Sequence, residues 1–446
     1  MKNRLRIFVL SIIAFFCISS CEKKEQLPNI VLIMADDMGY ECLGCYGSTE
    51  YQTPNLDKLA AGGIRFEHCY SQPLCTPSRV KIMTGQYNFR NYEDFGYLNP
   101  NQKTFANLLK DAGYATCIAG KWQLNGLNRN NPGNQDVNRP YHFGFDEYCL
   151  WQLHHQRKDG ERYADPLITQ NGKVLPRNSE LYGPQIFADY ICDFIDRKAD
   201  NPFFVYYPMV LVHDPFVPTP DSPEWIDSAR RYENDTAYFS DMVAYTDKII
   251  GQLETKLRQK GILENTLFIF TGDNGTGRAI FSSTVSGVLQ GGKGLTINTG
   301  NRVPLIVSWP AKMKGKRISD AMISFADFLP TFCEIAGINP ELYATDGKSL
   351  VPFISGKDEK NQSEIFIHYA PRWGSRNHNR WVMNQEYKLY RDGSFFNTTT
   401  DILEEKPLTT LSEAEQNLKE KFQNILNEKE KEFPFHLNDT TFVINP

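Results

Sequence analysis

Net positive charge is missing from this chain. Its 446 residues carry 48 Lys and Arg against 53 Asp and Glu, a formal charge of −5. That balance excludes wholesale binding of nucleic acid, so an anionic ligand must be met by a local cluster of cations. Long apolar runs are also scarce. Past the first 20 residues none reaches the roughly 18 needed to span a bilayer. Internal repeats and low-complexity segments are absent, which argues against solenoid and disordered architectures. Cysteine is thinly used: of ten, Cys17 lies in the leader and Cys21 and Cys75 sit in motifs of their own. The rest are odd in number and show no disulfide framework. Cys42-Leu43-Gly44-Cys45 lacks the second pair of a zinc site and reads as structural. Gly287 to Lys293 fits G-x-x-x-x-G-K, but Gly294 stands where a P-loop requires Ser or Thr. With no convincing strand before it and no helical pattern after it, nucleotide binding is excluded.

What is present begins with a leader. Lys2, Arg4 and Arg6 precede the apolar run Ile7 to Cys17, and Ile18-Ser19-Ser20-Cys21 resembles a bacterial lipobox. The resemblance implies cleavage before Cys21 and acylation of its thiol; the alternative is an ordinary secretory signal. The organisation expected is a signal peptide over 1–20, a tether over 21–28, a large domain over 29–376 and a C-terminal subdomain over 377–446. The protein is then an exported lipoprotein, anchored to a membrane on its periplasmic or cell-surface side.

Asn29 to Met34 is largely apolar, as expected of a strand buried on both faces of a parallel sheet. Pro202 to Tyr207, Thr266 to Phe270 and Pro304 to Val307 repeat the pattern. Helical periodicity follows Thr53-Pro54-Asn55 and runs over Thr104 to Ala112, Tyr238 to Lys260 and Asp327 to Ala336, the last three stopped by Gly113, Gly261 and Gly337. Strands alternating with helices predict an α/β fold with a mostly parallel or mixed central sheet between helices. From about Asn377 short strand-like pieces predict a small antiparallel sheet, followed by a charged amphipathic helix over Ser412 to Lys431.

Asp36 and Asp37 follow the first strand, and Asp273 and Asn274 follow the third. Strand carboxyl ends are where open α/β sheets place ligands. Four hard oxygen donors suit Ca²⁺ or Mg²⁺ and not a soft metal. Between them stands Cys75-Thr76-Pro77-Ser78-Arg79, which resembles the Cys-x-Pro-x-Arg maturation motif in which a dedicated enzyme oxidises the cysteine to formylglycine. With Asn29 to Tyr40, Gly120-Lys121-Trp122, His213, Thr271 to Gly275, Gly292-Lys293-Gly294 and Arg302-Val303-Pro304 in order, the chain resembles the formylglycine-dependent sulfatases of the alkaline phosphatase-like superfamily over nearly its whole mature length.

The resemblance implies a sulfuric ester hydrolase acting on a sulfated carbohydrate. Cys75, as formylglycine, would be the nucleophile and a ligand of a divalent cation, Ca²⁺ or else Mg²⁺, with Asp36, Asp37, Asp273 and Asn274. Arg79 would steady that environment, Lys121 and Lys293 would bind sulfate, and His213 would protonate the leaving group. One departure touches the chemistry: Gln123 stands where the family usually has a histidine that accepts a proton, and an amide cannot do so at neutral pH. Asn298-Thr299-Gly300, where Glu-Gly-Gly is common, implies only a local loop change. Gln123, with His154 and His155 in one loop and Arg376 and His378 in another, forms the expected substrate-binding set. Trp151, Arg157 and Lys158 share the first loop, and Arg372, Trp373 and Arg380 the second. Two alternatives stay open: a phosphonate or phosphate ester hydrolase of the same superfamily, and a glycan-binding lipoprotein with impaired turnover.

Overall fold

The computed structural model describes residues 26–435 apart from 314, 358–362 and 374–377. The leader, Cys21 and Arg376 therefore lie outside the described residues. Sixteen strands follow in chain order among the described residues: β1 (Asn29–Ala35), β2 (Ile64–Tyr70), β3 (Ala115–Lys121), β4 (Glu147–Trp151), β5 (Ile168–Gln170), β6 (Lys173–Val174), β7 (Phe203–Pro208), β8 (Thr266–Gly272), β9 (Phe281–Thr284), β10 (Gly287–Gln290), β11 (Arg302–Ser308), β12 (Arg317–Ser324), β13 (Ile365–Tyr369), β14 (Asn379–Met383), β15 (Tyr387–Tyr390) and β16 (Phe395–Asn397).

Ten of them form one sheet in the order β12-β2-β11-β8-β1-β7-β3-β4-β5-β6. Successive side chains of a strand point to opposite faces, and β1 is buried at every position. Its Val31, Ile33 and Ala35 enter one core with the helices Pro54–Ala61, Gly183–Lys198 and Phe239–Gln259, while Ile30, Leu32 and Met34 enter the other with Phe105–Asp111 and Phe328–Ile335. Each fully buried Leu or Ile contributes about 1.5–3 kcal/mol. The apolar run of β1 is thus the signature of a strand covered on both sides, and the fold is the expected mixed α/β sheet between helices.

The four apolar runs are all strands, but Pro304 to Val307 runs against its neighbours: β11 is antiparallel to both β8 and β2. Its reversal leaves β2 running with β1. Consequently β1, β2, β3, β4, β7 and β8 all end at one edge, and β11 begins there.

A second sheet, antiparallel β13-β14-β15-β16, packs one face around Ile367, Trp381 and Met383 against Leu74, Cys75 and Phe95. Its other face takes Phe422 and Leu426 of the helix Glu413–Glu432. Ser412 and Glu415 cap that helix reciprocally. Among the described residues no helix is long and apolar enough to cross a membrane, and no disulfide forms.

Candidate active site

Every described residue of the expected catalytic and metal-binding set lies at that common edge. Asp36 and Asp37 leave β1, Asp273 and Asn274 leave β8, Lys121 ends β3 and His213 lies beyond β7. Cys75 opens the helix Cys75–Thr84, five residues past β2, and Lys293 precedes β11. Two backbones approach closely behind Lys121: a Cβ on Gly120 would fall 2.1 Å from the carbonyl of Pro208, so only glycine fits between β3 and β7. Asp37 and Gln123 both hold left-handed backbone, at φ 60° and 53°, a strain that non-glycine residues carry mainly at functional sites.

Charges are packed densely there. Lys121 donates to both oxygens of Asp36 at 2.8 and 3.0 Å. Arg79, one turn into its helix, donates to Asp273 Oδ2 at 2.9 Å and to the Lys121 carbonyl at 3.2 Å. Asp273 Oδ1 accepts the backbone N–H of Asp37 at 3.0 Å. Lys293 binds Asp37 and lies 3.0 Å from His213 Nε2, while His213 Nδ1 lies 2.7 Å from the Asp214 carboxylate. Burial pushes the Asp36 carboxyl up, yet Lys121, His213, Arg79 and Lys293 hold it well below the usual carboxylate range. Asp273 moves the other way, to about 7, because burial and the Asp36 charge outweigh Arg79. Burial lowers the His213 pKa, and Lys293 adds to that against Asp37.

The donors suit a hard cation. Carboxylate oxygens of Asp36 and Asp37 and a ring nitrogen of His213 lie within 4.8 Å of one another. Asn274 donates its amide N–H groups to Asp37 Oδ1 and the Gly275 carbonyl, each at 2.9 Å, and its buried Oδ1 is left with no hydrogen-bond donor. A buried amide oxygen without a partner costs free energy unless a cation or water meets it.

Cys75 is buried, with its thiol pKa raised by burial, and its Sγ–H donates to Gln123 Oε1 at 3.3 Å. Gln123 is thus brought to Cys75, the expected nucleophile. Its backbone N–H reaches the Gln152 carbonyl past β4, in the loop that carries His154 and His155. Those two rings lie 4.1 Å apart, and His154 Nδ1 meets Thr169 at 3.4 Å. His378 immediately precedes β14, in the small sheet, where its charge lowers the pKa of His368 behind the larger effects of burial and Arg380.

Two loop readings need correction. Trp151 is no loop residue but the buried end of β4, paired with Lys121 across the sheet. Arg380 is buried in β14, bonded to His368 and Glu430, so its cation serves packing against the C-terminal helix and does not reach a ligand. Trp373 stacks on Phe95 with ring centres 4.5 Å apart, packed against the cluster that contains Phe95 and Cys75. Unforeseen was Arg162, a buried guanidinium 3.7 Å from Asp36 and 4.2 Å above the Trp151 ring.

This arrangement sets a buried cysteine beside a cluster of carboxylates within a ring of lysine and arginine, a setting suited to an oxyanion ester. Residues 28–338 match the sulfatase family and residues 292–432 match the family described as N-sulphoglucosamine sulphohydrolase, C-terminal. The chain belongs to the sulfatase family, and it is a sulfatase enzyme that hydrolyses sulfate esters. It is 32% identical to human arylsulfatase A over 371 residues, 76% of this chain and 70% of that protein. Two solved structures share its fold. Ps i-CgsB in complex with k-i-k-neocarrahexaose superposes with a TM-score of 0.75 at 24% identity, covering 94% of this chain and 95% of the other. A protein in complex with its substrate D-glucosamine-2-N,6-O-disulfate gives 0.72 at 23%, covering 93% and 100%.

Proposed function

We propose that this protein removes sulfate from a sulfated carbohydrate, with Cys75 oxidised to formylglycine by a maturation enzyme and a divalent cation, Ca²⁺ before Mg²⁺, held by Asp36, Asp37, Asp273 and Asn274. The observation that carries the reading is the position of Cys75. It faces Gln123 at the helix start, beside the cluster in which Lys121, Lys293 and Arg79 balance buried carboxylates. When present, the cation and aldehyde hydrate supply a polarised sulfate oxygen and a nucleophile at neutral pH.

The remaining roles belong to side chains in view. Lys121 and Lys293 bind and neutralise the sulfate oxygens. His213 turns Nε2 toward the site, where it accepts from the Lys293 ammonium; a proton taken up at Nε2, with the Nδ1 side held by Asp214, is the one it passes to the leaving oxygen. Gln123 accepts a hydrogen bond from the side chain at position 75 and orients it, but takes no proton. Trp373 over Phe95 offers an aromatic face for a pyranose ring, and His154 and His155 border the same edge. The names of the matched C-terminal family and of the disulfate-bound structure favour a sulfated amino sugar. Export and anchoring through an acylated Cys21 suit an enzyme acting on polymer outside the cell, as a sulfated glycan is.

Release of inorganic sulfate from glucosamine 6-sulfate oligosaccharides, by protein made with a maturation enzyme and loaded with Ca²⁺, tests the proposal. Wild type is expected to turn over and Cys75→Ala to be inactive. Binding of the oligosaccharide without release would favour the glycan-binding alternative, and faster phosphate release from matched esters the phosphoester one.

A further inference from the structure

Buried guanidinium groups in folded proteins are paired, because five N–H donors out of water cost more than the charge gains back. Arg162 breaks that rule. Its side chain is 2% exposed, yet among the described residues its only ion-pair neighbour is Asp36 Oδ2, at 3.7 Å too far for a hydrogen bond. Its Nη1 is buried with no hydrogen-bond partner. What holds the group in place is aromatic: the guanidinium carbon lies over the Trp151 ring, 4.2 Å from its centre, with the Tyr163 ring at 5.8 Å. Tyr163 in turn donates its hydroxyl to the carbonyls of Val210 and His213. The arginine is therefore fixed as a rigid plane at the site, with its donors unspent.

The oxygen it faces shows where. Asp36 Oδ2 is also the oxygen that Lys121 grips at 2.8 Å. Two cations from different strands, one at the end of β3 and one beyond β4, converge on the same point. With Asp36 committed to a cation, both are free to meet a second anion there. A planar fork matches two oxygens of a tetrahedral oxyanion, which a lysine cannot do.

We propose that Arg162 is a substrate-binding residue that holds the sulfate group being removed, alongside Lys121 and Lys293. The inference rests on the sulfatase reading of the site and adds to it an arginine at a position the sequence comparison with the family did not mark.

Isothermal titration of the full, Ca²⁺-loaded protein with inorganic sulfate tests it, with far-UV circular dichroism to confirm folding. Arg162→Met is expected to weaken sulfate binding at least about tenfold, the loss of one charge-assisted hydrogen-bonding partner. Arg162→Lys should regain part of that loss, and Lys121→Met should lose as much as Arg162→Met. Arg162→Gln replaces Arg162→Met if the latter does not fold. Binding by folded Arg162→Met within twofold of wild type, while Lys121→Met loses it, overturns the role of Arg162 and leaves the site reading intact. Failure of the wild type itself to bind sulfate overturns the reading on which the inference stands.

Discussion

Lys293 lies 3.0 Å from Nε2 of His213 while its ammonium is ion-paired with Asp37. The imidazole thus has a cation on the face that looks into the site and a carboxylate, Asp214, on the face that looks out. This pairing fixes the ring and keeps Nε2 beside Lys293, the group proposed to bind the sulfate.

If His213 is that proton donor, its removal should matter in proportion to the basicity of the leaving group. His213→Gln is expected to lose about 10²–10⁴-fold in kcat on a sugar sulfate. On an aryl sulfate with an acidic phenol, the loss should shrink to within about tenfold, since such an anion leaves unassisted. Paired kinetics on the two esters read the difference; equal losses on both would assign His213 to binding.

Arg79 and Asp273 are both almost wholly buried and joined at 2.9 Å. Breaking a buried pair leaves one charge without compensation, at about 3–5 kcal/mol. Arg79→Met should therefore lower the unfolding free energy read from urea denaturation by that order, and Arg79→Lys should recover little, because one ammonium cannot serve both Asp273 and the Lys121 carbonyl.

How much of this could be read in advance follows from local physics. The convergence of Asp36, Asp37, Asp273 and Asn274 at one sheet edge was legible because β1 and β8 are apolar along nearly their whole length and run parallel. The helix Cys75–Thr84 was not legible: it is buried at every position, so its residues show no helical alternation of apolar and polar faces. The direction of β11 was not: Pro304 to Val307 is apolar on both faces whichever way it runs, and only pairing with β8 and β2 reveals its reversal. β2 escaped notice because Arg65, Glu67 and His68 interrupt its apolar residues, their side chains being only partly buried. Arg162 sits among Arg157, Lys158, Asp159 and Glu161, a mixture that reads as a solvated surface. Only its burial against Trp151 sets it apart.

The small sheet reaches into the site through a buried cation. Lys388, in β15, is fully buried, bonds Glu404 at 2.9 Å and donates to the carbonyl of Thr296, three residues past Lys293. Tyr390 donates to Thr296 Oγ1 at 2.9 Å. Lys388→Met should loosen the Lys293 loop and lower kcat more than it raises KM. Adding Glu404→Leu should return most of the lost stability, as replacing a buried pair with apolar groups is often neutral. Steady-state kinetics and urea unfolding of single and double variants check both halves.

Stability should fall on the acid side through histidines that the fold keeps neutral. Burial, with Arg302 adding to it, lowers the His68 pKa from 6.5 to about 4. Below pH 6.5 the unfolded chain therefore binds a proton that the folded chain refuses, and stability declines as pH falls from 6.5 toward about 4. His68→Phe should flatten that part of the stability curve, read as the change in Tm between pH 7 and 4.5, and leave it unaltered above pH 7.

The account turns on the state of Cys75, and the mass of the tryptic peptide Phe66 to Arg79 reads it most directly. From cells with a maturation enzyme, the peptide is predicted to carry an aldehyde in place of the Cys75 thiol, with Cys69 unchanged. An intact thiol at Cys75, with a control sulfatase converted in the same cells, would contradict the proposed nucleophile.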